Sequence, residues 1–262
     1  MTPRPATPAD GVCWITGASS GIGAALARRM AQQGWTVVIS ARSQEALEEL
    51  AGEGRGRIHA APLDVTDAAA VEETVAGIED EHGPIALAVL NAGVYIPVAA
   101  EAPEFDAYRK TFDVNLAGTA ACYCALAPRM VARGSGQIAI VSSATAFGGM
   151  PTASAYGATK AALLNMAECL RIELHRHGVL VQAVTPGFVE TPAQEDNEFP
   201  KPFMISPETA ARRMAAGFRS RRFEITFPRR FTWMLKLIYA LPKAWYLPLV
   251  RKQTGWGKAG DD

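Results

Sequence analysis

The octapeptide TGASSGIG, Thr16–Gly23, decides how the chain is read. Before it stands VCWIT, Val12–Thr16, a short apolar run that reads as a strand. After it comes AALARRMAQQG, which reads as a helix ending at Gly34. Gly17, Gly21 and Gly23 let backbone amides approach a ligand closely. A helix opening just beyond them adds free N–H groups and the positive end of its dipole. With Ser19, Ser20 and Ile22 in the loop, the segment reads as a pyrophosphate cradle. Its spacing, G-x-x-x-G-x-G, differs from the common dinucleotide fingerprint G-x-G-x-x-G. A plain turn between strand and helix also favours glycine, so the flanking elements give the functional reading its weight.

Working outward, the same alternation continues. TVVISA, RIHAAPLDV, IALAVLNAG, GQIAIVSS and VLVQAVTPG read as strands two to six, and RRFEITFP as a last one. Helical patterns fall between them at about 44–51, 68–81, 104–132 and 153–177, the last closing with HRHG, basic residues before Gly178. Short, unalternating apolar strands between helices imply a parallel sheet covered on both faces. A length of 262 residues suits one such α/β domain. The expectation is a single-domain, doubly wound α/β fold with a mostly parallel seven-stranded sheet flanked by helices. Residues 1–10 are expected to fray, 11–206 to form the core with a lid near 192–206, and 207–262 to supply the last strand and a basic, apolar helical extension.

Lys+Arg and Asp+Glu both total 26, so no global charge points to nucleic acid. The balance is uneven: from Ala211 onward there are twelve Lys/Arg and three Asp/Glu. Cys13, Cys122, Cys124 and Cys169 form no C-x-x-C pair and lie in apolar runs, which predicts buried thiols in a reducing, cytoplasmic compartment. MTPRPATPAD has no apolar stretch and does not read as a secretory signal. His59, His82, His175 and His177 fall in no motif; they read as surface or helix-end residues, and no metal site is expected.

Two further stretches carry chemistry. At the end of the second strand, ISARSQ places Ala41 and Arg42 where a carboxylate would accept a ribose 2′-OH; an arginine there favours a 2′-phosphate, hence NADP(H) over NAD(H). In SAYGATKAAL, Tyr156 and Lys160 are one helical turn apart and share a face. A phenol titrates near 10. A cation beside it, and a place in the first turn of a helix, both favour phenolate. The expectation is that Lys160 lowers the Tyr156 pKa and makes it a proton shuttle.

TGASSGIG, NAG, VNLAG, a serine thirteen residues before the tyrosine, YGATK and PGFVET stand in one order. Together they resemble the short-chain dehydrogenase/reductase family, from about Gly11 to Pro192. The resemblance implies a Rossmann-type domain and a catalytic tetrad of Asn115, Ser143, Tyr156 and Lys160. Ser143 would stabilise the substrate oxygen, Lys160 would also hold the nicotinamide ribose, and Asn115 would seat a water. The resemblance further implies cofactor contacts from Gly17, Ser19, Ser20, Gly21, Ile22, Gly23 and Arg42. Asp64, with Val65 beside it, would meet adenine; Asn91, Ala92 and Gly93 would line the cofactor, and Pro186, Gly187, Val189 and Thr191 would hold the nicotinamide amide. A homodimer through the two long helices is expected on the same ground.

The implied activity is NADPH-dependent interconversion of a carbonyl and a secondary alcohol. Phe199, Phe203 and Met204 in the expected lid point to a hydrophobic substrate, such as a lipid ketone; a 3-oxoacyl thioester and a steroid or xenobiotic carbonyl are rivals. The competing class is an NADP(H)-binding regulator without turnover, against which the intact tetrad argues. RRFTWMLKLIYALPKAWYLPLVRK (229–252) is interrupted by Lys236, Pro242, Lys243 and Pro248, so it is not a membrane span. Two readings stand: short helices packed over the cleft or a subunit partner, which is preferred, or a peripheral membrane contact with basic residues on anionic lipid.

Overall fold

The structure is a computed structural model that describes residues 2–191 and 203–255. Its strands are β1 (Val12–Thr16), β2 (Val37–Ser40), β3 (Ile58–Ala60), β4 (Ile85–Leu90), β5 (Gly136–Val141), β6 (Val179–Pro186) and β7 (Glu224–Phe227). They form one sheet in the order β3-β2-β1-β4-β5-β6-β7, with every adjacent pair parallel. The seven-stranded doubly wound architecture read from the sequence is therefore present.

The helices are α1 (Gly21–Gln32), α2 (Gln44–Glu53), α3 (Ala68–His82), α4 (Phe105–Phe112), α5 (Gly118–Arg133), α6 (Ser154–Leu174), α7 (Pro207–Phe218), α8 (Arg229–Tyr239) and α9 (Lys243–Thr254). Leu26, Met30, Leu47, Leu50, Met214 and Phe218 from α1, α2 and α7 cover one face of the sheet. Val71, Val75, Leu126, Met130, Leu163 and Leu170 from α3, α5 and α6 cover the other. The central strand serves both layers: Cys13 and Ile15 enter the first, Val12 and Trp14 the second, as the two-residue side-chain period requires. The strand order reverses between β1 and β4. At that point the loops leaving the carboxyl ends of β1 and β4 diverge and open a crevice, the place where open α/β sheets bind ligands.

Three local expectations are corrected. The stretch expected to be one helix from Glu104 to Ala132 is divided by a π-helical segment, Asp113–Ala117, between α4 and α5. The N-terminal segment, expected to fray, is tied down over residues 4–10: Arg4 pairs with Asp10, the Thr7 N–H donates to Asp10 Oδ2 at 2.8 Å, and the Ala6 N–H donates to Gln137 Oε1 at 2.7 Å. Of the four cysteines, Cys13 and Cys122 are buried but Cys124 and Cys169 are exposed, because they lie on outward stripes of α5 and α6. Burial pushes the Cys122 thiol up to about 12, so it behaves as a small hydrophobe.

Inside the sheet, two fully buried glutamines tie β5, β6 and the chain after α7 together. Gln137 Nε2 donates to Gln182 Oε1 at 2.7 Å and to the Phe218 carbonyl at 3.0 Å. Gln182 Nε2 reaches the Ser220 and Arg222 carbonyls. Gln137→Leu strands the Ala6 N–H, the Phe218 carbonyl and Gln182 Oε1. It is expected to lower unfolding free energy by about 3 kcal/mol in urea titrations while leaving nucleotide affinity unchanged.

Candidate active site

The crevice is a cleft of ≈ 730 Å³, within the range of about 300–1,000 Å³ usual for small-molecule sites. One end is the turn from β1 into α1. Gly17 has φ +67, and a Cβ there would lie 2.7 Å from Ala92 Cα. A Cβ on Gly23 would lie 2.3 Å from the Gly17 carbonyl oxygen. Glycine is thus required for the turn itself as well as for ligand approach. Asn91 locks the turn: its Nδ2 donates to the Thr16 and Gly17 carbonyls, both at 3.0 Å. Thr16 Oγ1 in return accepts the Asn91 and Ala92 N–H groups at 3.0 and 3.1 Å. The Ser20 side chain, at the N-cap of α1, does not cap the helix. Its first-turn amides therefore face the cleft with the dipole's positive end, as an anion needs.

Along the same wall, Ala41 and exposed Arg42 follow β2. Asp64 Oδ1 accepts from the Thr66 N–H at 3.0 Å and the Thr66 hydroxyl at 2.8 Å. That backbone bond above all holds the Asp64 carboxyl below its ordinary range, with the Thr66 hydroxyl and the Arg42 charge adding to it. Val65 is buried beside Asp64, and both line the cleft with Leu63.

The other end gathers three of the four residues singled out for catalysis. Ser143 follows β5 and opens the short 3-10 turn Ala144–Phe147; its Oγ accepts the Thr145 N–H at 3.2 Å. Ser142 turns away and donates to the Lys160 carbonyl at 2.7 Å, which ties β5 to α6. Tyr156 lies in the first turn of α6, and the Tyr95 ring meets it edge-on at 5.1 Å. Lys160 is 3 % exposed; its Nζ donates to the Val141 carbonyl at 2.9 Å and sits 5.5 Å from the Tyr156 ring centroid. Thr145 also lines this end, and its Oγ1 is buried without a hydrogen-bond partner among the described residues.

The expected acidification of Tyr156 is corrected. Burial pushes its phenol up to about 12; the Ser143 hydroxyl opposes this and Tyr95 adds to it. Burial pushes the Lys160 ammonium down to about 8. Desolvation of both groups outweighs their attraction, because Nζ is turned to the Val141 carbonyl and the face of the ring.

Asn115 lies in the π-helical segment, fully buried. Its Oδ1 accepts the Val94 N–H at 2.7 Å, and its Nδ2 donates to the Val94 carbonyl and to Thr159 Oγ1. These bonds clamp the loop after β4 to α6, so its observed role is positioning. A Cβ on Gly93 would come 3.2 Å from Asn115 Oδ1 and 3.4 Å from Lys160 Nζ, so this loop passes directly over the pair. A π turn that extrudes such a residue is common at functional sites.

Pro186, Gly187, Val189 and Thr191 run along the cleft after β6. Most of the expected lid falls outside the described residues. Its edges are bridged where the Glu190 N–H donates to the Ile205 carbonyl at 3.0 Å and the Ile205 N–H to the Phe188 carbonyl at 3.1 Å. The preferred reading of the tail, short helices packed over the cleft or a subunit partner, did not name the roof's residues: Phe231, Leu235 and Tyr239 of α8 line the cleft. Their spacing of four residues was the available signal. Among the described residues no cluster of His, Cys, Asp and Glu could hold a metal ion.

Known proteins place this arrangement. The short chain dehydrogenase family pattern matches residues 11–200. An uncharacterized oxidoreductase of Myxococcus xanthus is 34% identical over 231 residues, covering 87% of this chain and 91% of that protein. The 2,3-dihydro-2,3-dihydroxybenzoate dehydrogenase of Bacillus subtilis is 38% identical over 189 residues, 70% of this chain and 71% of that one. A crystal structure of an actinorhodin polyketide ketoreductase variant with NADPH superposes with a TM-score of 0.77 at 27% identity, over 85% of this chain and 97% of that one. The chain belongs to the short-chain dehydrogenase family and is an oxidoreductase of that family.

Proposed function

We propose that the protein is an NADPH-dependent carbonyl reductase acting on a hydrophobic ketone, with Tyr156 as proton donor. The observation that carries this reading is that the glycine cradle and the Ser143–Tyr156–Lys160 group occupy opposite ends of one cleft. The residues suit the cofactor: two glycines whose Cβ atoms would fill the turn, uncapped amides of α1 for phosphate, and Arg42 beside the ribose end. A nicotinamide cofactor bound there, as NADPH, would supply the hydride for the carbonyl carbon and would be oxidised to NADP+.

The chain's own residues handle the oxygen. Ser143 Oγ donates to it and stabilises the developing alkoxide. Tyr156, which carries its proton throughout the neutral range, transfers that proton to the oxygen and yields the secondary alcohol. Lys160, protonated below about 8, compensates the phenolate left behind and would bond the ribose of the bound cofactor. Asn115 keeps the loop before Val94 in place around them. Phe188, Phe231, Leu235 and Tyr239 make the substrate end apolar, which supports a hydrophobic ketone. Exposed Phe105 on α4 and Ile172 on α6 support pairing of two copies across these helices.

Arg42 supports NADP(H) over NAD(H). Arg42→Asp is expected to weaken NADPH binding roughly ten- to a hundredfold and NADH binding far less, as read by quenching of protein fluorescence. Equal losses would remove the inference. The activity itself is tested by following consumption of NADPH with a panel of apolar ketones. Tight NADPH binding with no consumption across the panel would return the protein to the non-catalytic class.

A further inference from the structure

Helix α8 is apolar on both sides. Phe231, Leu235 and Tyr239 face the cleft. On the opposite side Arg230, Trp233, Met234 and Leu237 follow the i, i+3, i+4, i+7 spacing of one helical stripe. Trp233, Met234 and Leu237 are 59, 43 and 70 % exposed. A surface helix normally keeps polar residues on that side. Helix α9 continues the pattern with Trp245 and Leu247, 67 and 59 % exposed.

Only one side chain of α9 is buried, Tyr246. Its hydroxyl donates to the Gly149 carbonyl at 2.5 Å, and its ring meets Tyr239 edge-on at 5.1 Å. A twelve-residue helix held by a single anchor leaves the rest of its surface for something outside the fold. Contiguous exposed apolar area of this kind marks an interface.

The charge says which. Residues 229–252 contain six Lys/Arg and no Asp or Glu. Lys236 is spent on Glu224 of β7 and on the ring of Phe147, while Arg229, Arg230, Lys243, Arg251 and Lys252 are exposed. A second copy docking by two-fold symmetry would bring these cations against themselves. Exposed tryptophans beside arginines and lysines, on short helices, match the composition of segments that lie in a lipid boundary. Among the described residues no helix is long and apolar enough to cross a membrane. We propose that the outer stripe of α8, with α9, docks on the surface of an anionic lipid bilayer. The inner stripe of the same helix roofs the cleft, so docking sets the cleft beside the apolar phase.

The test is sedimentation of the full chain with vesicles of phosphatidylcholine alone or with about a third phosphatidylglycerol, without cofactor, so that it reads docking independently of catalysis. The expected result is binding to the anionic vesicles, loss of binding at high salt, and weak binding to the neutral ones. Arg229→Gln with Arg230→Gln should weaken binding about thirtyfold, and Trp233→Ser with Leu237→Ser at least as much. NADPH affinity should be unchanged in both pairs, since none of these side chains lines the cleft. Absence of binding to anionic vesicles would overturn the proposal and leave the face to a protein partner. So would a wild-type chain whose mass by light scattering halves on Trp233→Ser with Leu237→Ser, because a second copy would then cover the face.

Discussion

Tyr156→Phe is expected to bind NADPH with wild-type affinity and to reduce ketones on the order of a thousandfold more slowly. The substitution removes one hydroxyl. It keeps the ring that Tyr95 meets edge-on, and it leaves the α6 turn unchanged. Nothing in the glycine turn, 16–23, depends on that hydroxyl, so the cofactor end of the cleft stays intact. The loss should fall on kcat, because the proton is needed only as the alkoxide forms. The raised phenol pKa adds a directional signature. Reduction uses the protonated phenol, which is present throughout the neutral range. Oxidation of the alcohol uses phenolate, so its rate should climb with pH towards about 12. An oxidation rate flat in pH would place the proton elsewhere.

Lys160→Met is expected to lose activity by roughly a hundredfold or more while making the protein more stable. The ammonium is buried and has one observed hydrogen bond, to the Val141 carbonyl. Burial lowers its pKa to about 8 from 10.5. The unfolded chain therefore binds the proton more tightly than the folded one, and the charge opposes folding fully below about 8. As pH rises from about 8 to 10.5 the unfolded chain alone is still losing its proton, and that opposition disappears. Allowing for the lost bond to Val141, the methionine variant should be about 2 kcal/mol more stable at neutral pH. The gap should close near pH ~10. Urea unfolding of both proteins at the two pH values reads this directly. A lysine kept at such a cost to folding is there for the cleft.

The fold was legible because its signals are local. Apolar runs such as VCWIT and IALAVL separated by helical patterns fixed the strands, and Gly17 to Gly23 sat in the only context that makes a phosphate turn meaningful. The helical spacing of Tyr156 and Lys160 was legible for the same reason. What escaped depends on tertiary surroundings. The sign of the Tyr156 shift follows from desolvation by β5, Tyr95 and α6, which no spacing encodes. The N-terminal segment is held by Gln137, a residue 131 positions away from Ala6. Cys124 and Cys169 lie in apolar stretches, yet their helices turn them outward. The π turn at Asp113–Ala117 has no sequence propensity of its own. The tail was read as either packing over the cleft or meeting lipid; α8 has a face for each, and FTWMLKLIY carries both stripes superposed.

The most direct test of the account is transfer of deuterium from C4-deuterated NADPH to an apolar ketone, read by mass spectrometry of the alcohol formed. The wild-type chain is predicted to place the label on the carbinol carbon, and Tyr156→Phe to place almost none in the same time. A chain that binds NADPH tightly and transfers no label to any ketone, or a Tyr156→Phe variant that transfers it at the wild-type rate, would contradict it.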